Sequence, residues 1–126
     1  MTITSRVDKA RRLILSEASG TLTNEDVLKY TEWVRSDPTL AEFDMLMDLS
    51  GAERVEVTSD GLRNAALRIP SRDKAQENYR VAIVAQSDFA FGMSRMYEML
   101  RAGAVGEVRV FRDIIEAKKW LGIEGT

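Results

Sequence analysis

Two stretches of this chain are apolar at odd and even positions alike. Phe43-Asp44-Met45-Leu46-Met47-Asp48-Leu49 and Arg80-Val81-Ala82-Ile83-Val84-Ala85 lack the polar-every-second-residue rhythm of a half-exposed strand. Such runs suit central strands covered on both faces. The N-terminal runs Ile3 to Val7 and Arg12 to Ala18 flank Asp8-Lys9-Ala10 and predict a hairpin with one face more apolar than the other. Val108-Arg109-Val110-Phe111, after a turn bracketed by Gly103 and Gly106, predicts a last strand.

Helical spacing fills the intervals between these runs. After Gly20, Thr21-Leu22-Thr23 leads into a first helix, with Thr23 as N-cap, Asp26 three residues on, and Val27, Tyr30, Thr31 and Val34 on one face. Ser36-Asp37-Pro38 stops it, because a residue before proline is pushed out of the α region. Thr58 or Ser59 caps a second helix, whose Leu62, Ala65, Ala66 and Ile69 recur at i, i+3, i+4 and i+7 before Pro70. A charged loop over 71–78 follows. Ser87 or Asp88 caps a third helix with a broad stripe of Phe89, Met93, Met96, Tyr97 and Leu100. Phe89, Met93, Met96 and Leu100 are assigned to the core, and Phe91 and Met99 suit the core and a surface groove equally. The last helix carries the Asp113 and Glu116 capping pair, a core face of Ile114, Ala117 and Leu121, basic Lys118 and Lys119 at its C-terminal end, and Gly122 as its C-terminal cap. The order ββαβαβαβα predicts an α/β fold. Its sheet has about five mostly parallel strands, an antiparallel N-terminal edge and right-handed crossovers, and it carries four helices.

Composition narrows the function more than the fold. The 126 residues form one domain, 1–126, and 44% hydrophobic content is enough for a core. Lys and Arg number 18 against 20 acidic residues, a net charge of −2, which is not the basic field nucleic-acid binding requires. There is no cysteine and no histidine. Thiolate chemistry, disulfides and the commonest general base and metal ligand are therefore excluded. The N-terminus lacks the apolar core of a signal peptide, and no apolar run approaches the roughly 20 residues of a membrane span. A cytoplasmic protein without metal or cofactor is expected.

Several segments together resemble the STAS domains, the fold of anti-sigma-factor antagonists typified by SpoIIAA. They are Gly20-Thr21-Leu22-Thr23, Met47-Asp48-Leu49-Ser50 and Thr58-Ser59-Asp60-Gly61-Leu62. Ala82-Ile83-Val84-Ala85, Phe91-Gly92-Met93-Ser94-Arg95-Met96-Tyr97-Glu98, Val110-Phe111 and Ala117-Lys118-Lys119-Trp120-Leu121 are similar to the bacterial SpoIIAA-like group, of STAS/CRAL-TRIO (Sec14) type. The resemblance runs from about Ile14 to Gly122 and implies a non-enzymatic binding or regulatory module acting on another protein. In STAS antagonists a phosphorylatable serine opens the second helix in an Asp-Ser-Ser/Ala-Gly-Leu motif. That position falls on Ser59, with Thr58 in place of the motif's Asp and Asp60 in place of its small residue.

Two sites follow as expectations. The first is a switch or partner surface of Ser50, Gly51, Thr58, Ser59, Asp60 and Gly61. A phosphate at this helix start would meet free N–H groups and the positive dipole end, although an ordinary N-cap uses the same residues. The second is a groove between the third and last helices, where Phe91, Met93, Met96, Tyr97 and Trp120 hold a small apolar, lipid-like ligand. Methionine and aromatic side chains suit adaptable apolar surfaces. Arg95 with Glu98, and Tyr97 with Arg101, are spaced to interact along the third helix. Asp48 with Arg95 is the weakest candidate, a catalytic pair at a strand's C-terminal end. The surplus apolar residues also predict a homodimer.

Overall fold

Alternation along the central strands divides the core between two faces of one sheet. In the computed structural model, which describes residues 2–70 and 79–125, the strands are β1 (Ile3–Asp8), β2 (Leu13–Ala18), β3 (Gly20–Thr23), β4 (Asp44–Asp48), β5 (Ala52–Glu56), β6 (Arg80–Val84) and β7 (Glu107–Phe111). The helices are α1 (Asn24–Ser36), α2 (Ser59–Ala66), α3 (Asp88–Leu100) and α4 (Ile114–Leu121). The main sheet has the order β1-β2-β4-β6-β7. Its β1–β2 pair is antiparallel and every other neighbour is parallel. The predicted α/β architecture holds, with its antiparallel N-terminal edge. The charged loop expected over 71–78 lies outside the described residues.

On one face Ile14, Met45, Val81, Ile83, Val108 and Val110 pack with Val34 of α1 and with Phe91 and Tyr97 of α3. On the other, Leu13, Leu46, Ala82 and Val84 pack with Ala117 and Leu121 of α4. Residues two apart in a strand share a face, so one short run such as 81–84 feeds both layers. Three helices therefore cover one face and a single helix the other.

The helix starts are capped as the sequence predicts. Thr23 and Asp26 form a reciprocal capping box, Thr58 accepts from the Gly61 N–H at 3.1 Å, and Ser87 accepts from the Ala90 N–H at 3.1 Å. Asp113 accepts from Ile115 at 2.8 Å, and Gly122, at φ 73°, ends α4 in the left-handed conformation that favours glycine.

Two elements depart from the predicted order. β3 and β5 are strands, pairing in parallel as a separate two-stranded sheet. β3 has only four residues, and β5, Ala-Glu-Arg-Val-Glu, carries three charges because most of it faces water. Neither shows the apolar rhythm on which strand recognition depends.

The phase of α3 also differs from its apolar stripe. Its buried residues are Ala90 and Ser94, continued by Arg101, whereas Phe89 is 56% exposed and Met99 66%. Met93, Met96 and Leu100 are only partly buried. Small side chains let this helix sit close to the sheet, and the large ones flank the contact.

Candidate functional site

The three-helix layer does not close completely over the sheet. A cavity of about 120 Å³ lies beneath it. Its floor is Met45, Met47, Val81 and Ile83, and α1 contributes Val27, Tyr30 and Val34. Leu22, Val55 and Val57 come from the small sheet and its exit, and Leu62 from α2. From α3 come Ala90, Met93, Ser94 and Tyr97; Arg101, Arg35 and Tyr79 also line the cavity, with Ile3 of β1, Thr31, Leu49 and Ile69. The wall is therefore apolar except for hydroxyls and two guanidiniums.

Arg101, just past α3, is 4% exposed. It donates through Nη1 to the Tyr97 hydroxyl at 2.7 Å and through Nη2 to the Val105 carbonyl at 2.9 Å and the Tyr79 hydroxyl at 3.4 Å. Its guanidinium carbon also lies 5.4 Å from the Tyr97 ring centre, a cation–π separation. The Arg101 Nε is buried without a hydrogen-bond partner.

Tyr30 stands in a line of hydroxyls. Its Oη is 2.9 Å from Ser16 Oγ, which is 2.8 Å from Ser5 Oγ on the paired strand. Burial of this hydroxyl pushes the Tyr30 pKa up to about 12, against a smaller opposing effect of the Ser16 hydrogen bond. Burial likewise raises Tyr79, opposed by the nearby positive charges of Arg101 and Arg35.

Of the expected apolar-ligand residues, Met93 and Tyr97 line this cavity. Met96 is half-buried outside the lining, and Phe91 lies under the Arg112 guanidinium at 4.2 Å. Trp120 is on the opposite face of the sheet, 5.7 Å from Phe111 and close to Arg80 and Arg109. The structure thus brings together no groove between α3 and α4, because the sheet separates them. Asp48 and Arg95 do not converge either. Asp48 alternates with Met47 and lines a second, more polar pocket beside α4, whereas Arg95 is exposed on α3 and 3.6 Å from Glu98. Sequence reasoning paired Tyr97 with Arg101 but did not place Tyr30 or Tyr79 at the site, nor Ser16 behind Tyr30. A serine in the apolar β2 run was the available signal.

The expected switch residues fall in two places. Ser50 and Gly51 precede β5, and Thr58 to Gly61 follow it. A five-residue strand separates them, roughly 17 Å at the usual rise. At the α2 start, Asn24 of α1 donates to Thr58 Oγ1 at 3.0 Å and accepts from the Thr58 N–H at 2.9 Å. A Cβ at Gly61 would strike the Asn24 side chain. Ser59 and Asp60 are exposed, and Asp60 pairs with Arg63 at 3.3 Å. Thr58→Ala removes the cap and the Asn24 bond to Oγ1 while leaving the backbone N–H bond to Asn24, and is expected to cost about 1–2 kcal/mol in chemical denaturation. A loss below about 0.5 kcal/mol would mean that water replaces both bonds.

Among the described residues no helix is long and apolar enough to cross a membrane, and no group of three acidic, histidine or cysteine side chains gathers as a metal site. Neither a family model nor a curated protein matches the chain. Among solved structures, it is similar to an uncharacterized protein of the DUF3478 family, with a SpoIIAA-like fold, from Shewanella loihica PV-4. The two share 23% identity with a TM-score of 0.58, over 94% of this chain and 93% of that one. The fold is SpoIIAA-like.

Proposed function

We infer that this chain is a non-enzymatic module that binds a small, mostly apolar molecule between its sheet and its three-helix layer. The observation that carries this reading is the cavity of about 120 Å³ with its apolar wall. Interiors are ordinarily packed to the density of organic crystals, with few voids larger than a water. An apolar cavity of about 150 Å³ is known to hold benzene, so this one suits a ring-sized body and is too small for a long acyl chain.

Toluene at near-saturation is expected to raise the melting temperature, since a ligand of the folded state alone adds RT ln(1 + [L]/Kd) to stability. Leu62→Phe, which pushes a ring into the space, is expected to abolish the rise. An unchanged melting temperature in the wild-type protein, with no chemical-shift changes at Met93 or Val57, would overturn the reading.

The alternative is contact with a protein partner through the α2 start, and exposure favours it. Thr58 supplies the cap, so the Ser59 and Asp60 side chains stand exposed at the surface, Asp60 beside Arg63. The two readings are compatible, because Leu62 on the same helix lines the cavity. Self-association through the exposed Phe89 and Met99 of α3 belongs with that alternative.

A further inference from the structure

We propose that the molecule taken up in the cavity is a small monocarboxylic acid, its carboxylate received by Arg101 and its apolar body lying against Met45, Val57 and Met93. This rests on the cavity being a binding site and adds the chemical class of what it binds.

Arg101 is 4% exposed and lines the cavity, yet its hydrogen-bond partners are all neutral: two tyrosine hydroxyls and a backbone carbonyl. Among the described residues no carboxylate pairs with it. Glu98, the nearest acid on the same helix, lies 3.6 Å from Arg95, and its Oε1, like the Arg101 Nε, is buried without a hydrogen-bond partner. A guanidinium always carries its charge and offers five N–H donors in a planar fork. Three contacts are made here, and Nε is left buried and unpartnered. Burying a charge without a counter-charge is among the most costly arrangements in a protein interior. The second charged side chain of the lining, Arg35, has the same sign. Among the described residues the wall therefore holds two positive groups and no negative one.

An apolar, partly open pocket with a single basic end selects for a molecule of matching polarity. A carboxylate is planar, carries one charge and matches a guanidinium edge, with the Tyr79 and Tyr97 hydroxyls beside it. The volume limits the remainder to about one ring or a short branched chain. Benzoate has these proportions.

The test is a calorimetric and amide-NMR titration of the whole chain at neutral pH with benzoate, its neutral near-isosteres benzamide and benzyl alcohol, and toluene. Benzoate is expected to bind at least ten-fold more tightly than benzamide or benzyl alcohol, with shifts at Met93, Tyr97 and Arg101. Arg101→Met is expected to bring the three within about three-fold of one another. Should that variant fail to fold, the wild-type series decides the matter unaided. Equal binding of benzoate and its neutral counterparts would overturn the carboxylate assignment and leave the apolar site standing. Binding of none of the four would overturn the site itself, and benzoate shifts confined to residues outside the cavity would overturn the assignment to Arg101.

Discussion

Gly106→Ala is expected to destabilise the protein by about 2–4 kcal/mol, enough to move a urea midpoint down by about 1–2 M. Two independent effects combine. Gly106 has φ 84°, a left-handed conformation that costs an L-residue about 1–2 kcal/mol. A Cβ there would also lie 2.7 Å from the Tyr79 ring. Tyr79 is 4% exposed and held from behind by the hydrogen bond from the Glu107 N–H to its carbonyl at 2.8 Å, so the ring has little room to retreat. The site should suffer with the fold, because Tyr79 lines the cavity beside Arg101. Urea denaturation checks the first effect, and a midpoint shift under about 0.5 M would show that the ring relocates at little cost.

Alkaline pH should weaken the fold through Tyr30. Its pKa rises from the ordinary 10.0 to about 12 in the folded chain because the hydroxyl is taken out of water. The folded state then holds a proton that the unfolded chain has released, so stability is constant below pH 10, falls between pH 10 and 12, and levels off above. Two pH units correspond to about 3 kcal/mol, and the upward displacement of Tyr79 acts in the same direction. Tyr30→Phe should lose about 1 kcal/mol at neutral pH, from the bond to Ser16. It should then decline less steeply than the wild type above pH 10, so that the two curves approach or cross. Urea midpoints for both proteins at pH 8, 10 and 11 decide it, and parallel decline would assign the alkaline loss to other groups.

What could be read from the chain was whatever is written locally. Runs covered on both faces, such as 81–84, and caps such as Thr23 with Asp26 or Asp113 are dictated by nearest neighbours and need no knowledge of partners. β5 was hidden because a strand of a small peripheral sheet keeps the charges of a loop. The phase of α3 was misjudged for the opposite reason. Hydrophobicity alone directs Phe89 inward, whereas the closeness of helix to sheet is set by Ala90 and Ser94. The groove expected beside Trp120 failed on topology, since nothing in either helix says which face its crossover takes. The cavity gathers residues from eight elements and from the turns between them, and the only local sign of its basic end was the Tyr97 to Arg101 spacing.

The small β3–β5 sheet bears on how the cavity can open. Its strands run in parallel and deliver the starts of α1 and α2 side by side, where Asn24 and Thr58 bond the two helices together. Fraying α2 alone would break the strand pairing and the shared cap together, so the two helices belong to one cooperative unit in the sense of native-state hydrogen exchange. α3 is outside this linkage and reaches the layer by packing on α2 and β7. If the cavity binds as proposed, the least costly opening is expected on the α3 side, near Met93 and away from the Arg101, Tyr97 and Tyr79 hydrogen bonds that tie its C-terminal end.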